Sequence, residues 1–174
     1  MKSREHYMSL ASILVALIFF MLPNNSLCFQ NEPDGFRGIK WGNNIKDLKG
    51  MGIAADDGDS KYYIRKNDKL KIGDAVLESI TYGFYKNRFH FVLIEFKAGT
   101  NYMKIKETLF EQYGAGNQNN EFLEQYTWYG SNVDILLKYS KISKEGRISY
   151  FYKPLTDEQT KDRKEKSIKG TGDL

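Results

Sequence analysis

Residues 75–85 and 89–96 are both dense in aromatic and β-branched side chains, and only Lys86-Asn87-Arg88 separates them. Side chains stiff at χ1 suit a pleated strand, and a three-residue break leaves room only for a tight reversal. The two runs therefore pair antiparallel. Apolar residues fall on both faces of each run, so this hairpin belongs in the middle of a sheet rather than at its edge.

Shorter strands are expected around it at 36–41, 62–66, 70–72, 125–129, 133–139 and 147–152, divided by turns rich in Gly, Asn and Asp. Val133, Ile135, Leu137 and Tyr139 repeat at strict period two, the mark of one buried face. Residues 54–60 read as a polar loop. Tyr102, Ile105, Leu109 and Tyr113 lie three and four apart, which predicts a helix over 101–113 with Thr100 or Asn101 as its cap and Gly114 as its stop. A short helix carrying Ile45 and Leu48 is expected after Gly42, capped by Asn43 or Asn44 and left through Gly50. The sum is an α+β single domain: an antiparallel sheet of six or seven strands packed by one main helix and one short helix. A shift of 64 residues superposes Gly50 on Gly114, Gly52 on Gly116 and Tyr62 on Tyr126, so a duplicated helix-plus-meander is one reading and coincidence the other.

The chain divides into residues 1–28, 29–154 and 155–174. Lys2 and Arg4 precede an apolar run at 8–22 that is short for a membrane span and is broken by Pro23-Asn24-Asn25. Ser26 and Cys28 place small side chains three and one before a cut ahead of Phe29. This is the pattern of a signal peptide, and it implies a periplasmic protein. An uncleaved anchor is one alternative. Lipidation of Cys28 is another, against which Leu27 stands where lipoprotein signals carry a smaller residue. With a single Cys in 174 residues no internal disulfide can form. In 155–174 Thr156 and Gln159 form a capping box, but no apolar stripe follows, so disorder or a frayed helix is expected.

The run Gly35-Phe36-Arg37-Gly38-Ile39-Lys40-Trp41-Gly42, the capped turn after it, and the later segment 109–114 ahead of Trp128 resemble small uncharacterised secreted bacterial proteins that open with a GI-x-WG segment. The resemblance implies an envelope location and a compact α+β fold, and brings no activity, cofactor or site residue with it.

Chemistry-bearing residues are sparse. Beyond residue 28 the chain holds one His and no Cys, too little for an ordinary zinc site. His90 lies between Phe89 and Phe91 with no partner suggested by any motif, and no Gly-x-Ser-x-Gly elbow occurs. Asp56, Asp57 and Asp59 around Gly58 offer oxygen ligands for Ca²⁺ without the spacing of an EF-hand, so a solvated acidic loop is favoured. Arg88-Phe89-His90-Phe91-Val92 partly matches the aromatic strand of an RNA-recognition motif but lacks its glycine. The net charge of +4 is spread along the chain, and no nucleic-acid partner is expected. Lys61, Arg65, Lys66, Lys69 and Lys71 around Tyr62 and Tyr63 suit either an anionic surface or a wet hairpin edge. Trp41, Tyr62, Tyr63 and Trp128 are the candidate interaction residues, because a large ring with one polar handle stacks on ligands.

These features support a non-catalytic periplasmic interaction or ligand-binding module, with no metal or cofactor and no transmembrane span after residue 28. The partner is an envelope protein or a small ligand. One alternative is a carboxylate-dependent envelope hydrolase, which needs two acids of raised pKa in a concave pocket. The other is an inhibitor of a secreted enzyme, which needs Tyr62, Tyr63, Tyr126 and Tyr150 exposed.

Overall fold

A computed structural model of the chain describes residues 29–171. The expected signal peptide and Cys28 lie outside the described residues. In chain order the strands are β1 (Gly35–Phe36), β2 (Ile39–Lys40), β3 (Met51–Asp57), β4 (Ser60–Arg65), β5 (Lys71–Ile72), β6 (Ala75–Val76), β7 (Ser79–Tyr85), β8 (Arg88–Lys97), β9 (Glu124–Tyr129), β10 (Val133–Tyr139) and β11 (Glu145–Tyr152). Helix α1 (Gly99–Tyr113) joins β8 to β9, and α2 (Lys153–Thr171) follows β11. Seven strands form one antiparallel sheet in the order β3-β4-β7-β8-β11-β10-β9, and β1-β2 and β5-β6 are separate two-stranded hairpins. The fold is thus a single α+β domain.

The expected central hairpin is β7-β8, turned by Lys86 and Asn87 in left-handed backbone. Alternation then sorts the sheet into two faces. Ile80, Tyr82 and Phe84 of β7, Val92, Ile94 and Phe96 of β8, Ile148 and Tyr150 of β11, Ile135 and Leu137 of β10, and Tyr126 and Trp128 of β9 are buried on the first face. Against it lies the stripe of α1, Tyr102, Ile105, Leu109 and Tyr113, all buried and each contributing roughly 1.5–3 kcal/mol. At the start of the inner strand β11 the ring of Phe96 lies where a side chain on Gly146 would be, with its nearest atom 2.2 Å from that Cβ position, so only glycine admits the ring.

Several elements depart from the sequence reading. The strand expected at 36–41 is a tight hairpin, because Arg37 and Gly38 both take positive φ and reverse the chain. The loop expected at 54–60 is β3, an edge strand with six of its seven residues exposed, and the turn into β4. Residues 75–85 are broken at Leu77-Glu78 into β6 and β7. The turn after Gly42 is a three-residue 3-10 helix, Ile45–Asp47, with the Asn44 side chain accepting from the Lys46 amide at 3.0 Å. Helix α1 starts at Gly99 without a side-chain cap, since Asn101 spends its amide on Lys97 O and on the Val76 N–H. The 64-residue shift does map β4 onto β9, yet β4 pairs on both sides while β9 is the sheet's last strand, so the two halves do not share one pairing pattern.

The tail beyond residue 154, expected as disorder or a frayed helix, continues as α2 to Thr171. It lies on the second face of the sheet. Leu155 and Gln159 are its buried anchors, and Gln159 donates to Ser60 Oγ at 2.7 Å. Around them Arg88 donates to both oxygens of Glu158 at 2.7 Å, Tyr85 donates to Asp162, and Lys86 reaches Asp162 at 2.6 Å and Glu158 at 3.2 Å. Polar pairs hold this helix where an apolar stripe would usually do so.

Candidate functional site

Helix α2 covers only the end of the second face where β7 finishes and β8 begins. At the opposite end, strand register lines up five side chains across five strands: Ser79, Glu95, Arg147, Lys138 and Gln125 on β7, β8, β11, β10 and β9. They form the floor of a cleft of about 800 Å³. Its far wall comes from the loop before β9 and the turn joining β10 to β11, which present Phe122, Leu123 and Ile142 with 82%, 54% and 96% of their surface in water. Large apolar side chains this exposed beside a concave polar floor mark a surface suited to a ligand.

One wall is held rigidly by Glu124. Its carboxylate accepts from Tyr102 Oη of α1 and from Lys141 Nζ at 2.8 Å, with Lys106 Nζ 3.9 Å away. Lys106 also donates to Tyr126 Oη at 2.6 Å and sits 4.3 Å from that ring's centre. Tyr102 stacks on Tyr139 at 4.4 Å. The hydrogen bonds from Lys141 and Tyr102 hold the Glu124 carboxyl below its ordinary pKa, while burial and Glu124 push the Tyr102 phenol up. Here an ionised acid is knotted to two cations.

The residues singled out in the sequence lie elsewhere. None of the four candidate interaction residues lines the cleft. Trp41 donates its indole N–H to Pro33 O at 2.8 Å and stacks on Phe89 at 4.7 Å. Trp128 is buried, donating to Gly114 O at 2.8 Å. Tyr63 packs edge-on to Phe84, and Tyr62 edge-on to Phe91 on the other face. The rings pack, and both indole donors are used inside the fold.

His90 is buried under α2 with Nδ1 3.5 Å from Thr156 Oγ1. Burial first, then the charge of Arg163, pushes its imidazole down to about 4, so it is neutral at physiological pH. Asp56, Asp57 and Asp59 each pair with a different cation, Lys61 at 2.9 Å, Arg163 at 3.9 Å and Lys166 at 2.8 Å. Among the described residues no group of three or more His, Cys, Asp or Glu could hold a metal ion. Nor is any helix among them long and apolar enough to cross a membrane.

The sequence reasoning missed the cleft. Its only trace was three large apolar residues, Phe122, Leu123 and Ile142, placed inside polar turns. No family model, characterised protein or solved structure matches the chain, so the site is argued from its geometry alone.

Proposed function

We propose that the protein is a non-catalytic ligand-binding module of the bacterial envelope, carried to the periplasm by residues 1–28. The observation that carries the reading is the cleft, whose concave floor of polar side chains faces a wall of exposed Phe122, Leu123 and Ile142. A volume of about 800 Å³ falls among small-molecule pockets, roughly 300–1,000 Å³. The hydrolase alternative needs acids raised in pKa, whereas Glu124 at the cleft wall is lowered. The inhibitor alternative needs exposed tyrosines, and Tyr126 and Tyr150 are buried.

A photo-crosslinking residue placed at Phe122 or Ile142 in intact cells tests the reading, with one at Ile53 on the β3 edge as comparator. Small-molecule adducts by mass spectrometry are expected from the first two positions only. One envelope protein dominating the adducts at Phe122 and Ile142 would make the cleft a protein-docking surface instead. Export is tested by fractionation: a periplasmic chain beginning near Phe29 supports it, and a cytosolic chain with its amino end intact removes it.

A further inference from the structure

The cleft's charges separate into those already matched and those left over. Lys97 lies between Glu78 at 3.8 Å and Glu145 at 4.0 Å, and Lys141 is bound to Glu124. The side chains of Arg147 and Lys138 make no hydrogen bond or ion pair with any described residue. They face one another in register on β11 and β10, where opposed Cβ atoms lie roughly 4.5–5.5 Å apart and like charges repel. Glu95, on the other side of Arg147, already accepts from Ser79 Oγ at 2.7 Å. Read across the sheet, the floor runs acid, cation, cation, neutral amide. That row carries one positive charge in excess, on the Lys138 side beside the Gln125 amide, while the two glutamates around the single Lys97 leave one negative charge in excess on the Lys97 side of the cleft.

We propose that the cleft takes a small amphiphile with a single anionic head, held between Arg147 and Lys138, and an apolar tail lying under Phe122, Leu123 and Ile142. The inference rests on reading the cleft as a ligand site and adds the ligand's class. An anion between two adjacent cations relieves their repulsion and gains charge-assisted hydrogen bonds, bidentate at the guanidinium. The tail takes the three apolar side chains out of water, a gain in proportion to the area covered. The two halves of such a ligand match the charged floor and the apolar far wall of the cleft.

A carboxylate and a phosphate head share this chemistry, and titration calorimetry on the full chain separates them. Dodecanoate, dodecyl phosphate and uncharged dodecanol are compared below their aggregation limits. The anions are expected to bind at least tenfold more tightly than the alcohol, and the preferred head names the source. The double variant Lys138→Gln, Arg147→Gln is expected to bring the anions down to the alcohol's affinity and leave the alcohol unchanged, which also reports that the cleft is intact. Glu95→Gln should keep or tighten anion binding. Equal binding of anion and alcohol, or an unaffected double variant, overturns the anionic head and leaves the cleft as a site for neutral ligands. Weakening by Glu95→Gln overturns it in favour of a zwitterion. Absence of binding by all three probes overturns both this inference and the ligand-site reading beneath it.

Discussion

At the end of the sheet face that α2 covers, Arg88 reaches both oxygens of Glu158, and Lys86 is shared between Glu158 and Asp162. At the other end of the same face Arg147 and Lys138 stand side by side with no acid bound to either. The closed end buries its apolar contact, Leu155, under the helix, whereas the open end leaves Phe122 and Ile142 in water. Similar side chains on one β-sheet face thus have two fates. Where charges are mutually matched they fasten one element to another; where cations are left adjacent and unmatched, beside uncovered apolar surface, they form the surface on which a ligand is proposed to sit.

Four perturbations break or sharpen this contrast, in falling order of effect. Gly146→Val strikes the open end from beneath, since its side chain meets the Phe96 ring under the start of β11. Overpacking there should cost about 3 kcal/mol in urea unfolding. An unchanged midpoint would mean that Phe96 does not seat on this strand.

Acid acts next, and it reaches the closed end first, through His90. The unfolded chain takes a proton on His90 near pH 6.5, while the folded chain resists protonation until about pH 4. Stability from this group is therefore complete above pH 6.5 and lost as pH falls toward 4, by about 2 kcal/mol at pH 5. His90→Gln should flatten that slope; a slope that persists would assign it to another group. Glu158 and Asp162, held below their ordinary values by Arg88 and Lys86, add their own loss only at lower pH, as each is protonated through its lowered pKa.

Salt is milder. Because the α2 clamp is largely exposed ion pairing, raising ionic strength should speed amide exchange in α2 more than in α1, which is held by buried rings and aliphatic groups. Equal responses in the two helices would contradict the clamp. Least affected of all should be the stability of Lys138→Gln and Arg147→Gln, within about 0.5 kcal/mol of the parent by thermal unfolding, since neither side chain has a partner to lose. A clear destabilisation would show that these cations hold the fold.

The same contrast explains what could be read in advance. Helix α1 was legible because Tyr102, Ile105, Leu109 and Tyr113 carry the helical period, and β7, β8 and β10 because their apolar residues carry the pleat. Edge strand β3 was not: Gly52, Ala54, Ala55, Asp56 and Asp57 bury nothing, and the strand is held by backbone bonds to β4 and by the exposed pairs Asp56–Lys61 and Asp57–Arg163. Helix α2 hid for a related reason. Its contacts, such as Arg88 with Glu158 and Ser60 with Gln159, join residues 70 and 99 apart and leave no local pattern. The floor of the cleft is less visible still, because Glu95, Arg147, Lys138 and Gln125 become neighbours only once β11 is placed between β8 and β10. Trp41 and Trp128 drew attention by type, and type alone does not tell a ligand-stacking ring from one packed beneath a turn.

The most direct test of the open end as a binding site is a titration of the isotopically labelled chain with dodecanoate, followed by amide chemical shifts. Saturable shifts are predicted at residues 95–97, 122–125 and 138–147, with 153–163 of α2 unmoved. Shifts centred on α2 or on the β3 edge, or none at all up to the ligand's solubility, would contradict the account.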